Sequence, residues 1–123
     1  MKVFEIMQAP VETTFASQDA ELAWEKMQEQ RLRHLVVLTD GEVVGVLSER
    51  DLGGSNGRAI RLGRAVGELM SGDPVVVESE LDLASAATLL SGCRIGCLPV
   101  VDGGKLVGVV TRTDLLDVLS HGP

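Results

Sequence analysis

Sliding the chain along itself by 63 positions superimposes Met7 on Met70, Asp19 on Asp82, Ala23 on Ala86, Arg31 on Arg94 and Leu35 on Leu98. The same shift brings Gly41 onto Gly104, Gly45 onto Gly108 and Asp51 onto Asp114. Self-similarity at a fixed period marks a repeated supersecondary unit. It restricts the fold more than composition does, because whatever one copy forms the other must be able to form. Met7 to Pro10 is one step shorter than Met70 to Pro74, and a one-residue difference in the following loop restores the register. Cancelling length changes of this kind are what a duplication with loop drift leaves behind.

Each copy runs the same course. A short extended stretch (Val11 to Phe15, then Val75 to Val77) precedes a helix-start aspartate, Asp19 or Asp82. Apolar residues follow at helical spacing: Ala20, Ala23, Trp24 and Met27 in the first copy, Leu83, Ala86, Ala87 and Leu90 in the second. Two Val- and Leu-rich runs come next. They are Leu35 to Leu38 and Val43 to Leu47 around Asp40-Gly41, then Leu98 to Val101 and Leu106 to Val110 around Asp102-Gly103-Gly104. Asp and Gly between β-branched runs signal a hairpin, since both tolerate the positive φ of a tight turn. A short helix is expected to close each copy, most clearly at Thr113 to Leu119.

The fold expected is therefore α+β: two β-α-β-β-α repeats, residues 1–53 and 67–123, joined by a linker over 54–66. A unit of about 60 residues with a three-stranded sheet leaves one sheet face uncovered. The two copies are accordingly expected to pack sheet to sheet around a pseudo-two-fold axis, creating two related clefts. Where the first copy passes into the linker stands the breaker Gly53-Gly54-Ser55-Asn56-Gly57, followed by Arg58, Arg61 and Arg64. These arginines read as a solvated linker or helical turn, or else as a face for phosphate or a partner.

Composition narrows the function classes. With two Phe, one Trp and no Tyr, the core must be aliphatic, and stacking platforms for single-stranded nucleic acid are not provided. A net charge of −7 opposes nucleic acid as a partner, leaving only the three linker arginines in its favour. No apolar run has transmembrane length and Met1-Lys2-Val3 does not begin a signal peptide, so neither a membrane nor export is expected and the reading is cytoplasmic. Cys93 and Cys97 read as small, half-buried thiols of a reducing compartment; a redox switch is the weaker reading, and the four ligands of a zinc site do not assemble around them. His34 and His121 are the only histidines, and no nucleophile–base arrangement is visible, so the chain is not expected to be an enzyme.

One pattern carries chemistry. Gly45-Val46-Leu47-Ser48-Glu49-Arg50-Asp51 and Gly108-Val109-Val110-Thr111-Arg112-Thr113-Asp114 share Gly, hydrophobic, any, Ser or Thr, any, any, Asp, where the last strand meets the closing helix. A glycine lets a ligand approach the backbone, and a helix N-terminus offers N–H groups and a positive dipole end. A carboxylate there can accept both hydroxyls of a ribose, as acidic residues do in dinucleotide sites. The alternative is purely structural: Ser48, Thr111, Asp51 and Asp114 capping the closing helices, with Gly45 and Gly108 relieving crowding.

Taken with these motifs, the chain resembles the cystathionine-β-synthase (CBS) domain family. The resemblance rests on Leu69-Met70 to Pro74-Val75, Ile95 to Asp102 and Gly108 to Leu115, and in the first copy on Ile6-Met7, Pro10-Val11, Arg33 to Val37 and Gly45 to Leu52. It departs at Val36, where the family often has proline. What the resemblance implies is a tandem pair, or Bateman module. Such pairs commonly dimerise into a disc, bind AMP, ADP, ATP or S-adenosylmethionine in their clefts, and regulate an attached or associated protein. It further implies that one cleft combines Val46, Ser48, Arg50 and Asp51 with Ser71, Val75, Val76, Ile95 and Gly96. The other would combine Val109, Thr111, Thr113 and Asp114 with Gln8, Val11, Glu12, Leu32 and Arg33. The aspartates would hold ribose, aliphatic residues would sandwich the base, and Arg33-His34 stands where the nucleotide-sensing subunit of the AMP-activated kinase has a phosphate-contacting pair. The second copy has the uncharged Gly96-Cys97 there, so sites of unequal affinity are expected, with Asp114 the phosphate-holding one. Glu12 would oppose a polyphosphate. The expected function is thus a regulatory module sensing an adenosine-type ligand, with no resident cofactor, a homodimer and an unidentified regulated protein as partners. The competing reading is a dimerisation module with empty clefts.

Overall fold

The computed structural model describes residues 1–92 and 96–121. The chain forms two compact units, and each takes in residues that lead into the other repeat. The central unit is Glu12–Pro74; the terminal unit joins Met1–Val11 to Val75–Pro123.

In the central unit, β1 (Thr13–Phe15), α1 (Ala20–Gln30), β2 (His34–Thr39) and β3 (Glu42–Ser48) are followed by the short helices α2 (Arg58–Arg61) and α3 (Val66–Leu69) and by β4 (Ser71–Gly72). The sheet order is β1-β2-β3-β4, with β1 parallel to β2 and the other pairs antiparallel. Asp40 and Gly41 turn the β2–β3 hairpin at φ 51° and 80°, as the Asp-Gly signal predicts. One face of α1 buries Ala20, Ala23 and Met27 against Leu35, Val37, Leu47, Leu52 and Val66. At about 1.5–3 kcal/mol per fully buried Val, Leu or Met, this layer dominates the unit's stability.

The terminal unit carries a 3₁₀ turn at Val3–Glu5, then α4 (Leu83–Ser91), β5 (Cys97–Asp102), β6 (Lys105–Thr111) and α5 (Arg112–His121). Its core is Val3, Val77, Ala86, Leu90, Leu98, Val100 and Val110. Cys97 is buried in β5; Cys93 lies outside the described residues.

The duplication extends to individual hydrogen bonds. In the central unit, Ala20 N–H donates to the Arg64 carbonyl, Val66 N–H to Gln18 and Gly67 N–H to Ala16. In the terminal unit, Leu83 N–H donates to Met1, Val3 N–H to Leu81 and Phe4 N–H to Ser79. Each of these pairs is related by the same shift of 63. Asp19 and Asp82 occupy the N-cap positions but make no side-chain cap; the first N–H of each helix goes to the carbonyl of Arg64 or Met1, and the Asp82 carboxylate is ion-paired to Lys2 at 2.8 Å.

Two expectations need correction. Val75 to Val77 is not a strand; only Val77 pairs, as a single parallel bridge to Val100. Val36 N–H reaches the Glu12 carbonyl in the first copy, but its counterpart Pro99 has no N–H to offer Val75, so the ladder stops. The first copy also lacks its closing helix. Residues 49–56 form successive turns instead, because Gly53 and Gly54 stand at φ 81° and 67°.

Candidate functional site

At the end of β3, the Ser48 N–H donates to Asp51 Oδ2 (2.9 Å) and the Asp51 N–H donates back to Ser48 Oγ (3.2 Å). At the end of β6, the Thr111 N–H donates to Asp114 Oδ2 (2.8 Å) and the Asp114 N–H to Thr111 Oγ1 (3.3 Å). This is the reciprocal geometry of a capping box with aspartate as the acid. The structural reading of the motif therefore describes the local bonds. It does not exhaust the carboxylates, because an ionised carboxylate has about four acceptor positions and each backbone bond uses one. Gln8 Nε2 donates to the other Asp114 oxygen at 2.7 Å. Asp51 shows no second partner among the described residues.

The glycines of the motif do something other than expected. A Cβ on Gly45 would stand 2.5 Å from Met70 Sδ and 2.7 Å from the Ser71 carbonyl oxygen. A Cβ on Gly108 would stand 2.5 Å from Met7 Sδ and 3.1 Å from the Gln8 carbonyl oxygen. Here the close approach is made by the leading segment of the other repeat, not by a ligand. That segment pairs along the hairpin edge: Ser71 lies opposite Val46 in β4–β3, and Gln8 bridges Val109. Met7 and Met70, matched by the repeat, thus play the same packing part against the two motif glycines, which the spacing alone does not reveal.

The remaining candidates divide by unit. Val46, Ser48, Arg50, Asp51 and Ser71 belong to the central unit, as do Glu12, Leu32, Arg33 and His34. Gln8, Val11, Val109, Thr111, Thr113 and Asp114 belong to the terminal unit, as do Val75, Val76 and Gly96; Ile95 lies outside the described residues. His34 faces Ser48 in the β2–β3 register, and the Arg33 carbonyl accepts from Glu49 N–H. Glu12 is ion-paired to Lys26 at 3.2 Å, which offsets part of its charge. Of the linker arginines, Arg58 and Arg64 are exposed, but Arg61 is 2% exposed and neither solvated nor open to a phosphate. Among the described residues, no group of three or more His, Cys, Asp or Glu is placed to hold a metal, and no helix is long and apolar enough to cross a membrane.

The model of the CBS domain matches twice, over residues 3–52 and 66–121. The chain belongs to the CBS domain family. A CBS domain-containing protein of Dictyostelium discoideum is 35% identical over 97 residues, covering 68% of this chain and 66% of that protein. The inosine-5'-monophosphate dehydrogenase of Thermoplasma acidophilum is 31% identical over 97 residues, covering 78% of this chain but 19% of that enzyme. The matched regions thus span two thirds or less of these relatives. Among solved structures, the CBS-pair protein CBSX2 of Arabidopsis thaliana superimposes with a TM-score of 0.85 at 30% identity, covering 97% of this chain and 94% of that one. CBSX2 in complex with AMP gives a TM-score of 0.83 at 28% identity, covering 97% and 96%. The fold is accordingly that of a tandem CBS pair.

Proposed function

We propose that this CBS pair is a cytoplasmic regulatory module that binds an adenosine-containing ligand (AMP, ADP, ATP or S-adenosylmethionine) and modulates another protein. The observation that carries the reading is the doubled junction. Ser48 with Asp51, and Thr111 with Asp114, hold a hydroxyl, a carboxylate and a strand-end amide in one repeated frame, with acceptor positions left on each carboxylate. The AMP complex of the related CBSX2 supports it. In this reading Asp51 and Asp114 accept the ribose hydroxyls, with Val46, Arg50 and Ser71 around the first and Val109, Thr113, Gln8 and Val11 around the second. The two sites are unequal: the Gln8 amide must release Asp114 before a diol can use that oxygen, whereas Asp51 needs no such exchange.

Thermal denaturation with each ligand, backed by calorimetric titration, tests the proposal. A ligand present at a hundred times its Kd stabilises the fold by about 2.7 kcal/mol through mass action. Asp51→Asn and Asp114→Asn should each remove one site, and the double variant both. A melting temperature unmoved by all four ligands overturns the reading. A dimerisation module with empty sites is the second reading. The apolar surface of α4 and α5 favours it, with the exposed Leu116 and Leu119 lining an apolar pocket of about 460 Å³.

A further inference from the structure

The two aspartates make the same local bonds but are backed by different scaffolds. Asp114 lies in the first turn of the ten-residue α5. Asp51 has no helix behind it, only the turns of residues 49–56. Those turns are tied to themselves by short-range bonds within the same few residues: Leu52 N–H and Gly54 N–H to the Glu49 carbonyl (both 3.2 Å), and Gly53 N–H to the Arg50 carbonyl (3.0 Å). A loop with two positive-φ glycines needs more than this to keep a carboxylate in place.

Arg61 supplies it. Its Nη1 donates to the carbonyls of Leu52 and Gly54, each at 2.8 Å, and its Nε donates to Glu21 Oε2 at 3.2 Å. The guanidinium also lies over the Trp24 ring, 4.3 Å from the centroid. Burying a cation is costly unless its donors are met, and here carbonyl, carboxylate and ring face meet them together. The guanidinium therefore fastens the turn immediately after Asp51 to α1. The second repeat has Ala84 and Ala87 at the counterparts of Glu21 and Trp24, so it carries no such clamp.

We infer that Arg61 is the positioning residue of the Asp51 site, replacing the closing helix that the first repeat lacks. The inference rests on the nucleotide reading above and deepens it: one site is set by a helix, the other by a side-chain clamp. Ligand binding at Asp51 depends on Arg61, and binding at Asp114 does not. Trp24 carries the guanidinium on its ring and itself packs against the core of the central unit.

The test titrates AMP calorimetrically into full-length variants that isolate each site. In an Asp114→Asn background, Arg61→Met should weaken AMP binding at least tenfold. Arg61→Lys keeps the charge but not the fork, so it should weaken binding less. In an Asp51→Asn background, Arg61→Met should leave the AMP affinity within twofold, an asymmetry that general loosening of the fold would not produce. Equal losses in both backgrounds, or none in the first, overturn the inference. Amide hydrogen exchange reads the clamp without any ligand: Arg61→Met should speed exchange at Leu52 to Gly54 at least tenfold and leave α5 unchanged. Should Arg61→Met fail to fold, Arg61→Lys should show the same ordering with smaller changes. Unchanged exchange overturns the clamp whatever AMP does. Faster exchange in a chain that takes up no AMP refutes the nucleotide reading, and the positioning role falls with it.

Discussion

Asp102 ends β5, and both its carboxylate oxygens are engaged: Oδ1 accepts from the Ser79 N–H at 2.9 Å and Oδ2 from the Ser79 hydroxyl at 2.6 Å. The hydroxyl bond first, then the backbone one, hold this carboxyl below its ordinary range. A carboxyl whose folded pKa is depressed contributes stability that is fully present above its unfolded pKa, about 3.9, and is lost as the pH falls through the folded value. Urea midpoints measured from pH 6 downwards should therefore drop below about pH 4 in the unaltered chain. In Asp102→Asn this part of the acid loss should be missing, with a lower midpoint at neutral pH; an identical acid slope would refute the assignment. The sequence showed Asp102 only as the start of a turn, because its partner lies 23 positions away. The shift of 63 gave no help, since the counterparts are Thr39 and Ala16. Arg61 was hidden for the same reason. Its place in a charged linker was plain, but its burial depends on Trp24 and Glu21, contacts that no local pattern encodes.

Elements were legible where a period or a turn signal governs them. The apolar stripes of α1 and α4, the two hairpins and the turn at Asp40-Gly41 all follow from local pattern. Pairing that depends on a missing donor or a distant neighbour was not legible, as with Pro99 ending the ladder at Val77. The motif glycines show the difference most clearly: a missing side chain reveals that something comes close, but not what. Since Met70 and the Ser71 carbonyl occupy that space, Gly45→Ala must displace β4 and should cost about 1–3 kcal/mol. Gly108→Ala should cost less, because its nearest neighbours are the flexible side-chain atoms of Met7 and its closest backbone atom is 3.1 Å away. Chemical denaturation checks the order. Adding Met7→Ala should recover part of the Gly108→Ala loss, whereas Met70→Ala should not repair Gly45→Ala, where the backbone oxygen still clashes.

At the scale of the whole molecule, the two repeats diverge most on their helices. The first fills the outer side of α1 with Trp24 under Arg61; the second leaves alanine at that position and closes with α5, whose Leu116 and Leu119 are 61% and 82% exposed. Leucines this open, next to an apolar pocket lined by Leu83, Ala87, Leu90 and Leu115, form a continuous surface that water solvates poorly. A second copy of the chain brings an identical apolar surface, which a symmetric contact can pair with itself. Sedimentation equilibrium should then show a reversible monomer–dimer equilibrium, and Leu116→Glu with Leu119→Glu should shift it to monomer by placing charges in the contact. Because these residues line the α4–α5 pocket and Asp114, in the first turn of α5, does not, AMP binding should survive in the monomeric variant if binding and self-association are separate properties. Loss of both together would mean that the second reading, a dimerisation module, and the first describe one coupled assembly. A chain that stays monomeric at every concentration would rule out self-association as the use of this surface.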